Sequence, residues 1–157
     1  MNQPLPISVA VDIDAPSDAV WSVVSDVTRM PEWSPECRKI LTLGSPRSGA
    51  GTRFVGINRR GWAFWPTTST VVRFEPGRAV AWKTRQSAAT WTYELEPTET
   101  GTRLTARRDL DAFSPMTKVA APLIGGAVGH DHELTEGLRT TLERIKAAVE
   151  AGAPAAR

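Results

Sequence analysis

The chain is poor in reactive and cross-linking groups. Its single cysteine, Cys37, excludes a disulfide within the chain. Its only histidines, His130 and His132, stand two residues apart. On a helix that spacing turns the two rings away from each other, which excludes an HExxH-type zinc site. No GxSxG nucleophile elbow occurs, and Gly125-Gly126 lacks the Lys-Ser/Thr that would complete a phosphate loop. No apolar run approaches the roughly 18 residues of a membrane span. The opening MNQPLPIS has neither the basic start nor the apolar core of a secretion signal. These absences lead us to expect a cytoplasmic protein with no integral membrane association, no metal and no cofactor.

Concentrated charge is also missing. The pI near 9.0 suggests a basic protein, but the formal net charge is only +2. Fifteen of the 19 basic residues are arginines, and they are scattered apart from the pairs Arg59-Arg60 and Arg107-Arg108. There is no basic helix and no basic–aromatic strand of the kind that reads RNA, so a nucleic-acid partner is not expected. Arg53, Arg59, Arg73 and Arg85 should face solvent from strands. Asp109 and Asp111 fall on the outward phase of their strand. Cys37 has no evident histidine partner to activate it.

What remains is an ordinary globular composition, with 41% hydrophobic and 23% charged residues. A length of 157 residues suits one domain, which we place at 1–151 with a flexible tail at 152–157. Ile7, Val9, Val11 and Ile13 alternate with polar or small residues, the period of a half-buried strand. Asp14-Ala15-Pro16 ends it, and Pro16 and Asp18 suit the first turn of a helix. Val20, Trp21, Val23, Val24 and Val27 follow at helical spacing, and Trp33 follows Pro31 in a second short turn.

Strand patterns then recur at Ile40–Leu43, Thr52–Arg59, Phe64–Phe74, Ala79–Arg85, Thr90–Glu96 and Thr102–Leu110, separated by turn signals such as Glu75-Pro76-Gly77. With the first strand this predicts about seven strands in an antiparallel meander. Leu134, Leu138, Leu142, Ile145 and Val149 form one stripe of a helix from Asp131 to Glu150. Burying each of these side chains is worth roughly 1.5–3 kcal/mol, enough to hold the helix on the sheet.

Ile13, Ala15, Pro16, Val20, Trp21 and Asp26, followed by Pro31 and Trp33, resemble the opening of the START/Bet v 1-like superfamily, the polyketide cyclase/dehydrase and lipid-transport proteins. The resemblance spans nearly the whole chain. It implies an α+β helix-grip fold, in which a curved seven-stranded antiparallel sheet wraps around a long C-terminal helix. It also implies an internal ligand cavity. The same fold hosts carriers, sensors and enzymes, so it leaves the function open.

Strand alternation then nominates the inner side chains. Trp91, Tyr93 and Leu95 form one inward set, Val80, Trp82 and Thr84 a second, and Leu104, Ala106, Arg108 and Leu110 a third. On Thr52–Arg59 the set Phe54, Gly56 and Asn58 is preferred inward, because the alternative phase ends in two arginines. Thr68 or Thr70 would add hydroxyls. Arg108 and Asn58 either orient the polar end of a ligand or snorkel to water at their strand ends.

The expected binding residues are Phe54, Gly56, Asn58, Trp82, Trp91, Tyr93, Arg108, Leu134 and Leu138, around a small hydrophobic or amphipathic molecule. Asp111 to Gly129, apolar and broken by Pro115, Pro122 and three glycines, is either a lid or a packed connector. The leading expectation is a binding or transport protein, monomeric or weakly dimeric. The alternative is a polyketide cyclase/aromatase-like enzyme, whose chemistry would leave little motif in sequence.

Overall fold

A computed structural model describes residues 6–44, 49–110 and 127–152, with the backbone alone for 127–131. Strand β1 (Ile7–Ile13) enters helix α1 (Ser17–Val24), with Pro16 at the helix N-cap and Asp18 in its first turn. A single 3-10 turn (Val27–Arg29) and the short helix α2 (Met30–Trp33) follow. Asp26 caps the 3-10 turn by accepting the Thr28 amide at 3.1 Å. Six strands come next: β2 (Cys37–Leu43), β3 (Arg53–Arg60), β4 (Ala63–Glu75), β5 (Ala79–Thr84), β6 (Ala89–Pro97) and β7 (Thr102–Leu110). The long helix α3 (Ala127–Gly152) is the last described element.

The seven strands form one antiparallel sheet in the order β1-β7-β6-β5-β4-β3-β2. Consecutive hairpins build β2 to β7, and β1 then closes against β7 with Val9 opposite Ala106 and Ile13 opposite Thr102. This is the predicted meander. Helix α3 lays Leu138, Leu142, Ile145 and Val149 into the core, as the spacing of its stripe requires, while Leu134 is half-buried. The helix starts at Ala127, four residues before the predicted Asp131, so His130 lies within it. The lid-or-connector segment lies outside the described residues from 111 to 126, and so does the tail from 153.

Directed polar contacts fasten one end of α3. Lys146 Nζ donates to the Asp12 carbonyl at 2.6 Å, and Glu150 Oε2 accepts the Asp14 amide at 2.9 Å. Beside them Thr102 Oγ1 donates to the Ala15 carbonyl at 2.9 Å. Gly101 lies so close to β1 that a Cβ there would sit 2.1 Å from the Ile13 carbonyl oxygen. Arg144 Nη1 donates to the Trp33 carbonyl at 3.3 Å, which ties α3 to α2. At the other end of the helix, Arg60 pairs with Glu133.

Candidate functional site

The inner face is built in cross-strand rows. One row runs Val71, Trp82, Trp91, Arg108 and Ile7 across β4, β5, β6, β7 and β1. The next runs Phe54, Ser69, Thr84, Ala89 and Leu110. Both rows lie toward the end of the sheet that faces the start of α3. Arg108 is 4% exposed, so it points inward rather than snorkelling to water. Phe54, Gly56, Trp82, Tyr93 and Leu138 are buried as well, while Asn58, Trp91 and Leu134 are half-buried.

The aromatic residues close on one another. Trp82 stacks on Tyr93 with ring centroids 5.4 Å apart, and Phe54 meets Trp82 edge-on at 6.0 Å. A cavity of about 10 Å³ remains, lined by Val24, Asp26, Met30, Trp33, Trp82, Tyr93 and Ile145. That is room for about one water. Of the predicted pocket walls, only Trp82 and Tyr93 line it. The other walls include Asp26, Met30 and Trp33 from the α1–α2 region, which strand alternation has no means of finding. Burial pushes the Tyr93 phenol well above its ordinary range, so at neutral pH it is a hydrogen-bond donor and not a base.

The hydroxyls on β4 come from a different phase than expected. Ser69 and Thr67 face inward, whereas Thr68 pairs at its backbone and side chain with Gln86. The reason is a β-bulge between Val71 and Arg73. Counting back in twos from Phe74 gives Thr70 and Thr68. The extra residue shifts the phase, and counting from Val71 gives Ser69 and Thr67. Ser69 and Thr84 hydroxyls hydrogen-bond at 2.9 Å inside the core.

Asn58 is engaged locally. Its Nδ2 donates to Thr67 Oγ1 at 3.1 Å and to the Trp65 carbonyl at 3.3 Å. The space over Gly56 is taken by the Thr67 hydroxyl, 3.1 Å from where a Cβ would lie, and by the Ile40 side chain at 3.5 Å. Asn58 and Arg108 lie on β3 and β7, with three strands between them in the sheet. Cys37 is buried, and desolvation pushes its thiol up to about 11, so it is not a nucleophile at neutral pH.

The comparisons with known proteins agree with this architecture. Residues 5–150 match the model of a family described as polyketide cyclase / dehydrase and lipid transport. The chain belongs to that family. Within the wider START/Bet v 1-like superfamily it shares the helix-grip fold. The solution structure of the polyketide cyclase-like protein Cgl2372 from Corynebacterium glutamicum is 30% identical, with a TM-score of 0.62 over 96% of this chain and 94% of that one.

The di-domain ARO/CYC StfQ of the steffimycin biosynthetic pathway superposes with a TM-score of 0.76 at 18% identity, over 95% of this chain. The chain spans 51% of the length of that di-domain protein. TTHA0849 from Thermus thermophilus superposes at 0.71 with 14% identity, over 94% of this chain and 99% of that one. At such identities the last two establish the fold alone. No curated protein matches the sequence significantly. Among the described residues, no helix of this polyketide cyclase/dehydrase-family chain is long and apolar enough to cross a membrane.

Proposed function

We propose that the chain binds a small hydrophobic or amphipathic molecule between the concave face of the sheet and α3, with the polar end of the ligand at Arg108. The observation that carries this reading is the buried guanidinium in the inner row that also holds Trp82 and Trp91, directly opposite Trp91. A guanidinium carries five N–H donors, and a ligand carboxylate or carbonyl oxygen is a good acceptor for one or two of them at a buried site. The Ser69–Thr84 hydroxyl pair offers a second polar point on the adjoining row. The cavity of about 10 Å³ is far smaller than such a ligand, so binding has to part the Trp82–Tyr93 stack.

The test begins with native mass spectrometry of protein purified from its own host, which should reveal a retained small molecule. Titrating that molecule into the apo protein should change tryptophan fluorescence as the stack opens. Arg108→Leu should weaken binding by the equivalent of about 1.5–3 kcal/mol, the range for a charged hydrogen bond. Asn58→Ala should change it little, because Asn58 Nδ2 is engaged by Thr67 and Trp65 toward the far edge of the sheet. Unchanged affinity in Arg108→Leu would refute the anchor.

A second reading is favoured by the superposition on the ARO/CYC protein across 95% of this chain. In it the ligand is a polyketide-type substrate. Tyr93, held protonated, and Arg108 would hold its carbonyl oxygens while the chain folds in the shaped interior. Incubation with a poly-β-ketone analogue separates the two readings. Product lighter by water supports the enzyme, and unaltered bound analogue supports the carrier.

A further inference from the structure

The β3–β4 hairpin ends in Arg59-Arg60-Gly61-Trp62-Ala63-Phe64. Gly61 has φ +61° while Trp62 keeps a negative φ, the pattern of a two-residue turn with glycine first. That turn requires the glycine and asks nothing of the next residue. Yet the next residue is a tryptophan that is 92% exposed, and Phe64 beside it is 62% exposed. Single exposed apolar residues are common, but two large aromatics projecting from one turn are not.

The arginines are arranged around these rings. The Arg59 guanidinium lies 5.2 Å over the Phe64 ring, and its Nε donates to the Gly61 carbonyl at 2.7 Å. The cation is therefore held at the tip. Arg38 and Lys39 are exposed at the start of the neighbouring strand β2. Among the described residues the acids close by are Glu133, paired with Arg60, and the half-buried Glu36. Among the described residues the tip thus presents two aromatics on a surface with more cations than acids.

We propose that the β3–β4 hairpin tip docks on the surface of an anionic lipid bilayer. Indole and phenyl rings suit the headgroup level, where one side is apolar and the other wet. Arginine and lysine suit lipid phosphates and the negative potential of such a surface. A projecting knuckle fits a deformable apolar medium better than a rigid protein surface, which would need a matching hole. This proposal does not rest on the cavity reading, because it concerns the outside of the molecule.

Vesicle flotation tests it. The full chain should float with vesicles of equal parts phosphatidylcholine and phosphatidylglycerol, but not with phosphatidylcholine alone. Raising the salt should weaken the binding. The double variant Trp62→Ser/Phe64→Ser should lose about tenfold in affinity while keeping its melting temperature, since both side chains already face water. Phospholipids brominated in the acyl chains should quench wild-type fluorescence more than that of Trp62→Phe. Absence of flotation would overturn the proposal, as would flotation that the variants leave undiminished. Self-association without vesicle binding, abolished by the double variant, would overturn it in favour of a second copy as the occupant.

Discussion

The two ends of α3 are held in different ways. Toward its C-terminus, Leu142, Ile145 and Val149 enter an apolar core with Ile13 and Leu104, and Lys146 and Glu150 reach the β1 backbone and the residue after it. Toward its N-terminus, Leu134 is half-buried, Glu133 meets Arg60 near the surface, and the facing sheet rows carry Arg108, Ser69 and Thr84. Apolar packing supplies stability at one end. That leaves the other free to hold polar groups that a minimal core would omit. Scaffold and candidate site thus divide one continuous interior between them.

The sharpest way to break this contrast is to damage the packed end. Leu142 is 0% exposed, and Leu142→Ala should cost about 2–5 kcal/mol in chemical denaturation. A loss well below that range would mean that the packed end is not the scaffold. Gly101→Ala comes next. Its Cβ would collide with the Ile13 carbonyl oxygen, so the β6–β7 turn must move off β1. A loss of about 1–3 kcal/mol is expected, with the sheet otherwise intact by circular dichroism.

At the polar end the expected pattern is non-additive. Thr84→Val alone leaves the Ser69 hydroxyl buried without its 2.9 Å partner and should cost about 1–3 kcal/mol. Adding Ser69→Ala should recover part of that loss, and a double-mutant cycle measures how much. Simple additivity would show that the two hydroxyls do not act as a pair.

The smallest effect is in the acid limb. Lys146 and the Asp14 amide hold the Glu150 carboxyl below its ordinary value of 4.5. The native state therefore binds this proton less tightly than the unfolded chain does. The contribution is fully present above the ordinary value and is lost as pH falls through the lower native one. Glu150→Gln should flatten the acid decline of the melting temperature slightly and change little at neutral pH, because the pair is exposed and screened.

Much of this was legible in the sequence because the signals are periodic. The stripe from Leu134 to Val149 and the alternation from Ile7 to Ile13 each follow from one element's own geometry. Arg108 could be assigned inward because it shares the phase of Leu104 and Ala106 in an unbroken strand. The β4 hydroxyls could not, because a bulge is set by pairing with β5 and leaves no mark in a run of threonines and valines. The closure of Trp82 on Tyr93, and the presence of Asp26 and Met30 at the small cavity, depend on how separate elements pack. The early start of α3 escaped for a different reason. Ala127 to Gly129 is glycine-bearing and apolar, without the amphipathic period that identifies the rest.

The buried thiol of Cys37 has a practical consequence. It stands at the head of β2, an edge strand of the sheet, with its ionisation pushed up to about 11. At neutral pH almost none of it is thiolate, and its burial keeps reagents away. An aromatic disulfide reagent therefore has to wait for the chain to open there. Because Cys37 is the only cysteine, the labelling rate times a single event, the parting of the β2 edge. The wild-type protein thus carries its own stopwatch for edge opening, readable in a spectrophotometer without any added probe site.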